Sequence, residues 1–316
     1  MSVGTAFCFV GRWQEAEAGL GCVGFIGAER YKFDWMGYPS DLRMAALASF
    51  LIMMEIPRFV DMSVSVSIVA LSVVNGLRYV LFCGVVWLVA YGFFRRRWLH
   101  RKILQVFPPA SDVRREMKHS AVSLLIFSVI AALTLEAARR GWTQLYRQPD
   151  ERGMVWFWAS ILCTILIHDT WFYWTHRLMH HPRLFRLTHL THHRSVNPTP
   201  WAAFAFSPLE AVVQGCIFPL AVMLVPMHPY AFGLFMIWQL AFNVMGHSGF
   251  EVFPRWMMKS WLGRVLSTPT HHVMHHEKMR GNYGLYFNMW DRLMKTNHQE
   301  YEARFAEVVS RPQQKE

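Results

Sequence analysis

Charge is scarce in this chain. Only 17% of its 316 residues are Asp, Glu, Lys or Arg, against about 25% in a typical soluble domain. With hydrophobic residues at 53%, intrinsic disorder is excluded and an ordinary cytosolic enzyme is disfavoured. Negative charge is scarcer still: 21 acidic residues face 32 basic ones, a net charge of +11. From Ser195 to Pro254 there is no Lys, Arg or Asp and only two Glu. Cysteine is also sparse. The five Cys form no CxxC pair and three lie in apolar runs, which argues against a disulfide framework or a Cys-ligated zinc. No GxGxxG fingerprint and no haem motif occur, so any redox chemistry draws its electrons from another protein. The opening MSVGTAFCFVGRWQE lacks the basic and long apolar regions of a signal peptide.

Apolar and aromatic residues fill the space. There are 14 Trp and 24 Phe, and the mean hydropathy is +0.17, a balance that suits a membrane protein with a sizeable polar part. Ser63–Phe94, interrupted by Asn75 and Arg78, Ala121–Ala138 and Met154–Trp174 are each long enough for a hydrocarbon core about 30 Å thick. Ala45–Met54 is too short for that. Pro208–Gly246 reads as a helical hairpin whose arms meet at Pro226-Met227-His228-Pro229, with Pro219 expected to kink the first arm.

The basic residues orient these spans. The segments 95–120, 176–194 and 255–316 fall on one side with 22 Lys and Arg, and 139–153 falls on the other with four. The positive-inside rule makes the richer side cytoplasmic. The basic excess therefore reads as topology and lipid contact, and no nucleic-acid motif argues otherwise.

Histidine is the anomaly. Of 16 His, 13 fall between His168 and His276. At 100° per residue, Asp169, Tyr173, His176 and His180 lie in one helical stripe roughly 60° wide. His176 and His180 can thus grip one metal from adjacent turns. Asp169 and Tyr173 on the same stripe are the candidate catalytic side chains, Asp169 by accepting the other ring N–H of a ligand His. His189, His192 and His193 share a face by the same arithmetic, and His272, His275 and His276 repeat it. His247 stands alone in Asn-Val-Met-Gly-His-Ser-Gly. A single HxxxH is weak evidence, since a lone His on an apolar helix is more often a packed core residue. Two HxxHH boxes and an HxxxH at membrane edges are costly to desolvate without a shared positive centre. Nine imidazoles exceed one tetrahedral site and suit two metals. They exclude Mg²⁺ and Ca²⁺ and permit Fe, Zn, Cu or Ni. His168 and His181 are expected to be supporting or structural, and His100, His119, His228 and His298 isolated surface or loop residues.

The stretches HDTWFYWTHRLMHH (168–181), HLTHHRSVNPTP (189–200), STPTHHVMHH (267–276) and NYGLYFNMWDRLMKT (282–296) resemble the fatty acid hydroxylase/sterol desaturase superfamily of integral-membrane enzymes. The resemblance covers roughly residues 165–296. It implies an all-α fold: a multipass transmembrane helical domain with a cytosolic His-rich helical cap holding a dinuclear metal site. It implies two Fe ions and O2 as co-substrate, with zinc as a possible substituted metal, and oxidation of an unactivated C–H bond of a lipid. Carried over by motif, the ligands are His176, His180, His189, His192, His193, His247, His272, His275 and His276. The doubled His271-His272 blurs the register of the last box, and HxxHH favours His272. Asn282-Tyr283-Gly284 and Trp290-Asp291-Arg292 match the family's tail and are expected to close the cap.

The resulting expectation is a lipid hydroxylase in residues 62–298, with an N-terminal segment 1–61 of uncertain structure and a polar tail 299–316. It faces the cytoplasm from a bacterial inner membrane, or from the endoplasmic reticulum in a eukaryote. Its electron donor is a ferredoxin, a cytochrome b5-like protein or a reductase. A desaturase with the same site is one alternative. A dizinc membrane hydrolase is another, although such sites usually include carboxylates. A metal transporter would place its His and carboxylates deep within the spans, whereas these boxes lie beyond them. The loop starting Asn197-Pro-Thr-Pro-Trp201 could line a substrate entry or simply pack.

Overall fold

The computed structural model describes residues 62–148 and 151–313. The segment 1–61 and the short apolar run Ala45–Met54 lie outside the described residues. Within them the structure is helical, with three isolated β-bridges and no strand.

Among the described residues, three helices are long and apolar enough to cross a membrane: Val64–Phe93, Ala110–Arg139 and Gly153–Met179. The first is α1 (Val64–Trp87), capped by Ser63 and prolonged by a π-helical turn, Leu88–Phe93. The second, α2 (Ala110–Arg139), starts well before the apolar run Ala121–Ala138, because its first turns are polar but helical. The third is α3 (Gly153–Met179). Their outward residues are apolar and exposed, among them Val69, Leu77, Leu125, Val155 and Trp158. An apolar face left open on every long helix suits a lipid solvent.

The hairpin follows as α6 (Pro208–Gly215), α7 (Ile217–Leu224) and α8 (Pro229–Gly246). Its first arm breaks at Cys216, one turn before Pro219, because a proline has no N–H for the carbonyl four residues back and its ring crowds that turn. The adjacent bond from Leu220 N to Cys216 O is long, 3.4 Å. Gly215 lets this arm approach α2 closely, since a Cβ there would lie 2.5 Å from Ile130 Cδ1.

The hairpin's far end joins the segment between α2 and α3 and the first turn of α3. Gln144 N donates to Val222 O at 2.8 Å, and Trp156 Nε1 donates to Pro226 O at 2.8 Å. His228, expected as an isolated surface residue, is 4% exposed. Its Nδ1 accepts from Tyr230 N at 3.1 Å, capping α8, so the proton sits on Nε2 and goes to Arg147 O at 3.0 Å. The three histidine boxes and His247 lie at the opposite helix ends. There Ile103 N donates to Gly249 O at 3.0 Å and Glu251 N to Arg101 O at 2.9 Å, tying the segment after α1 to the end of the hairpin.

The remaining helices build the cap: α4 (Pro182–Thr188), α5 (Leu190–His193), α9 (Trp261–Val265), α10 (Pro269–Lys278), α11 (Met289–Leu293) and α12 (Tyr301–Ser310). The polar tail expected over 299–316 contains α12. Its Tyr301, Phe305 and Val309 recur at helical spacing and bury themselves against Met257 and Met274. The loop at Asn197–Trp201 leads into a 3₁₀ turn, Pro200–Phe204, wedged among the helices. The Trp201 carbonyl accepts from Tyr79 Oη at 2.6 Å and Ser120 Oγ at 2.9 Å, and Asn243 Nδ2 donates to Ala203 O at 2.7 Å. Buried carbonyls need such donors, so this loop is packed among the helices.

Candidate metal centre

The three boxes reach one place from separate elements. α3 ends at Met179 with His176 in its last turn and His180 as its cap, because Pro182 follows and disfavours further helix. The exposed His181 caps α4 through Nδ1. α4 and α5 deliver His189, His192 and His193, α8 ends at His247, and α10 carries the last box.

The nine predicted ligands sort into two groups without remainder. His176, His180, His189, His193 and His275 form one; His192, His247, His272 and His276 form the other. Within each group the donor nitrogens lie within 4.8 Å of one another. His176 Nε2 is 2.8 Å from His189 Nε2, and His193 Nε2 is 2.9 Å from His275 Nε2 and 3.1 Å from His180 Nε2. In the second group His247 Nε2 has His272 Nε2 at 2.9 Å and the Nε2 atoms of His192 and His276 at 3.3 Å. One Nε2 proton can serve one of these neighbours, so mutual hydrogen bonding cannot satisfy the cluster. Nitrogens about 2.0–2.1 Å from a shared cation would sit about 3 Å apart. The donor set fits two metal ions.

Tautomers agree with that reading. His176 Nδ1 donates to Tyr283 O at 2.8 Å, His247 Nδ1 to Asn243 O at 2.8 Å and His275 Nδ1 to Gly281 O at 2.6 Å. His189 Nδ1 lies 2.7 Å from Glu210 Oε1. Carbonyls and carboxylates accept, so the proton sits on Nδ1 and the Nε2 lone pair faces the cluster. Burial, reinforced by neighbouring imidazoles, holds His192, His272, His275 and His276 well below the ordinary histidine value. It takes His193 down to about 3. Neutral imidazoles are the metal-binding form.

The last box takes the register His272, His275, His276. His271 points elsewhere: its Nε2 is 3.0 Å from Asn297 Oδ1 and 3.5 Å from Asp291 Oδ2. His168 is buried outside both groups, and His100, His119 and His298 belong to neither.

Asp169 does not orient a ligand His. It accepts from Tyr286 N at 2.9 Å and Phe287 N at 3.2 Å. Tyr173 Oη meets Thr296 Oγ1 at 3.0 Å and accepts from Arg177 at 3.3 Å. Both point to the segment that closes the cap. Helical spacing puts them on the stripe of α3 that carries His176 and His180, but their polar atoms meet the cap-closing segment, because a broad stripe serves two neighbours. That segment does what its motif suggested. Asp291 accepts from Tyr283 N, Gly284 N and Thr296 Oγ1 at 2.9, 2.7 and 2.6 Å. Gly284 leaves room for the turn, since a Cβ there would sit 2.2 Å from Phe287 O.

Glu210 and Glu251 were not singled out from the sequence. Glu251 Oε2 accepts from Thr270 N at 3.0 Å and Thr270 Oγ1 at 2.6 Å, anchoring the start of α10. The available signal was that these are the two carboxylates of the otherwise uncharged stretch from Ser195 to Pro254. Lone carboxylates in such a stretch are costly and tend to have partners.

The region that carries the histidine boxes is similar to known proteins. The profile of the fatty acid hydroxylase family matches residues 161–296. The chain is 30% identical to a Delta(7)-sterol 5(6)-desaturase of Gibberella zeae, across 63% of this chain and 58% of that protein. It is 29% identical to one of Aspergillus fumigatus, across 63% and 65%. Lathosterol oxidase of Homo sapiens is 27% identical across 58% and 60%. The matches thus span less than two thirds of the length of these relatives. No solved structure matches the chain.

Proposed function

The chain belongs to the fatty acid hydroxylase/sterol desaturase superfamily, and from that premise we propose that it is a membrane-bound oxidoreductase that uses O2 to oxidise a C–H bond of a lipid. The observation that carries the proposal is the convergence of nine imidazoles into groups of five and four. His176, His180, His189, His193 and His275 would hold one iron, and His192, His247, His272 and His276 the other. A dinuclear non-haem iron centre supplies the O2-derived oxidant for an unactivated C–H bond. The protein's own part is to keep the Nε2 of His176, His189, His247 and His275 deprotonated and aimed, through the acceptors on their Nδ1, and to exclude water from the cluster by burial. Electrons come from a separate carrier, a ferredoxin, a cytochrome b5-like protein or a reductase. The 22-to-4 division of Lys and Arg supports a cytoplasmic position for the cap, where such a carrier can reach it.

Hydroxylation and desaturation share the first C–H abstraction. The expectation from the sequence is hydroxylation. The names of the relatives favour a sterol and a new double bond, and we take desaturation of a sterol as the preferred reading. The test is to supply lathosterol to the iron-loaded protein with O2 and a reducing system, and to read the product by mass. Loss of two hydrogens supports desaturation, and gain of one oxygen supports hydroxylation. Turnover with zinc and no O2 uptake would instead make it a dizinc hydrolase.

A further inference from the structure

A column of oxidisable rings starts at the metal centre. Tyr283 sets its ring against three ligands of the five-histidine group, 5.1 Å from His180, 5.6 Å from His176 and 5.7 Å from His275. Among the described residues, the other carbon rings set against ligand imidazoles are the phenyl groups of Phe172, Phe185 and Phe206. From Tyr283 the column continues to Tyr173 at 6.2 Å. Tyr173 meets Trp290 at 5.9 Å and Trp174 at 5.4 Å, and the two indoles stand 5.5 Å apart. Centroid separations of this size mean rings in contact. Tyr173 is buried, whereas Trp174 is 42% exposed, so the column joins the ligands to the surface.

Tyr173 also has an outlet for its proton. The Thr296 hydroxyl donates to Asp291 Oδ1 at 2.6 Å. A hydroxyl carries one hydrogen, so in the 3.0 Å contact between Tyr173 Oη and Thr296 Oγ1 the phenol is the donor. The order is phenol, threonine, buried carboxylate. A phenol that loses an electron becomes a strong acid, and this chain lets its proton leave by two short hops and later return. Core packing alone requires neither the polar chain nor an indole at the surface end.

Redox chemistry gives the column its direction. Proteins that deliver electrons to an O2-using centre work at potentials far too low to take an electron from a phenol or an indole. Such side chains yield electrons only to a strong oxidant, which a centre able to attack an unactivated C–H bond must produce. The column therefore serves the oxidising half of the reaction.

We propose that Tyr283, Tyr173, Trp290 and Trp174 carry an oxidising equivalent from the metal centre to the surface when no lipid C–H bond is in place to receive it. The inference rests on reading the histidine cluster as an O2-activating centre. One electron passes from Tyr173 through Tyr283 to the oxidised centre, while the phenolic proton passes to Thr296 and the Thr296 proton to Asp291. An indole electron then refills Tyr173, and the protons return. The missing electron ends on Trp174, where an external reductant, a thiol or the electron carrier, replaces it. For each electron the reductant is oxidised, the centre is reduced, and the protein is left unchanged. The ligand histidines, which lie beside the oxidant and are themselves oxidisable, are thereby spared.

The test supplies the oxidant directly and reads no turnover. Iron-loaded protein without lipid is mixed with hydrogen peroxide, a two-electron oxidant that leaves as water, then rapidly frozen and examined by electron paramagnetic resonance. Peptide mass spectrometry locates added oxygen. A tyrosyl signal is expected, narrowed when the protein contains ring-deuterated tyrosine, together with oxygen added to Trp174. Tyr173→Phe at equal iron content should lose the signal and shift the added oxygen from Trp174 to the box histidines. Trp174→Phe, at an exposed position, should keep the tyrosyl signal and prolong it. No tyrosyl signal in the unaltered protein, a signal untouched by Tyr173→Phe, or an unchanged lifetime in Trp174→Phe would overturn the proposal. The signal in a protein that oxidises no lipid with O2 would overturn the proposed function and leave the column standing. Lipid oxidation without the signal would do the reverse.

Discussion

His189 Nδ1 lies 2.7 Å from Glu210 Oε1, and both side chains are 1% exposed. The pair joins the second His box to the first arm of the hairpin. A carboxylate in this position fixes the imidazole's tautomer and turns its other nitrogen to the cluster. The hairpin therefore supports the histidine cluster as well as forming part of the apolar helical domain.

Removing that acceptor should weaken one metal site without unfolding the chain. Glu210→Gln keeps a carbonyl oxygen and should lose little. Glu210→Ala should lower metal affinity about 10- to 100-fold. Metal titration of the two variants, with an activity assay alongside, checks this. Equal and full metal occupancy in both would show that the carboxylate has no role in ligation.

The doubled His of the last box gives a second test. His272→Ala should reduce binding from two metals per chain to one, because His272 Nε2 faces His247 Nε2 at 2.9 Å. His271→Ala should keep both metals and instead cost roughly 1–3 kcal/mol of stability through its lost contacts with Asn297 and Asp291. Elemental analysis and thermal unfolding separate these outcomes.

Asp169 makes a contrasting case. Its partners are two backbone N–H groups of the cap-closing segment. Asp169→Asn retains an acceptor and should be tolerated. Asp169→Ala should leave two buried donors unpaired and lower the unfolding midpoint in detergent, with a cost of about 1–3 kcal/mol per unpaired group. A change in metal stoichiometry with normal stability would contradict the assignment.

Lys102 gives a pH dependence away from the metals. Its ammonium is buried, 3.1 Å from Asn197 Oδ1 and 5.2 Å from the Phe250 ring, and burial lowers its pKa from 10.5 to about 8. Between those values the unfolded chain binds the proton and the folded chain does not, so this residue's contribution becomes more favourable as pH rises. Comparison with Lys102→Met should therefore move in favour of the unaltered protein between pH 8 and 10.5. Unfolding midpoints of both proteins across that range measure it, and a constant difference would refute it.

Sidedness is checked by single cysteines at Gln148 and Gln313 in a background without the native cysteines. Both positions are exposed. A membrane-impermeant thiol reagent applied to intact cells should label Gln148→Cys and spare Gln313→Cys. The reverse pattern, or equal labelling, would place the cap away from the soluble electron carriers.

Much of this protein was legible in its sequence because the determining physics is local. Apolar runs long enough for a bilayer mark three spans, prolines mark the hairpin's start, break and tip, and the spacing of His176 and His180 and of the two HxxHH boxes depends only on helical periodicity. Those signals identified all nine histidines that form the two groups. Tertiary structure decided the rest. It divided His192 from His193 between the groups, chose His272 over His271, and supplied Glu210 from a remote helix. It turned Asp169 and Tyr173 to the cap-closing segment. Helical periodicity fixes which residues share a face, whereas the partner that face meets depends on chain packing between residues far apart in sequence.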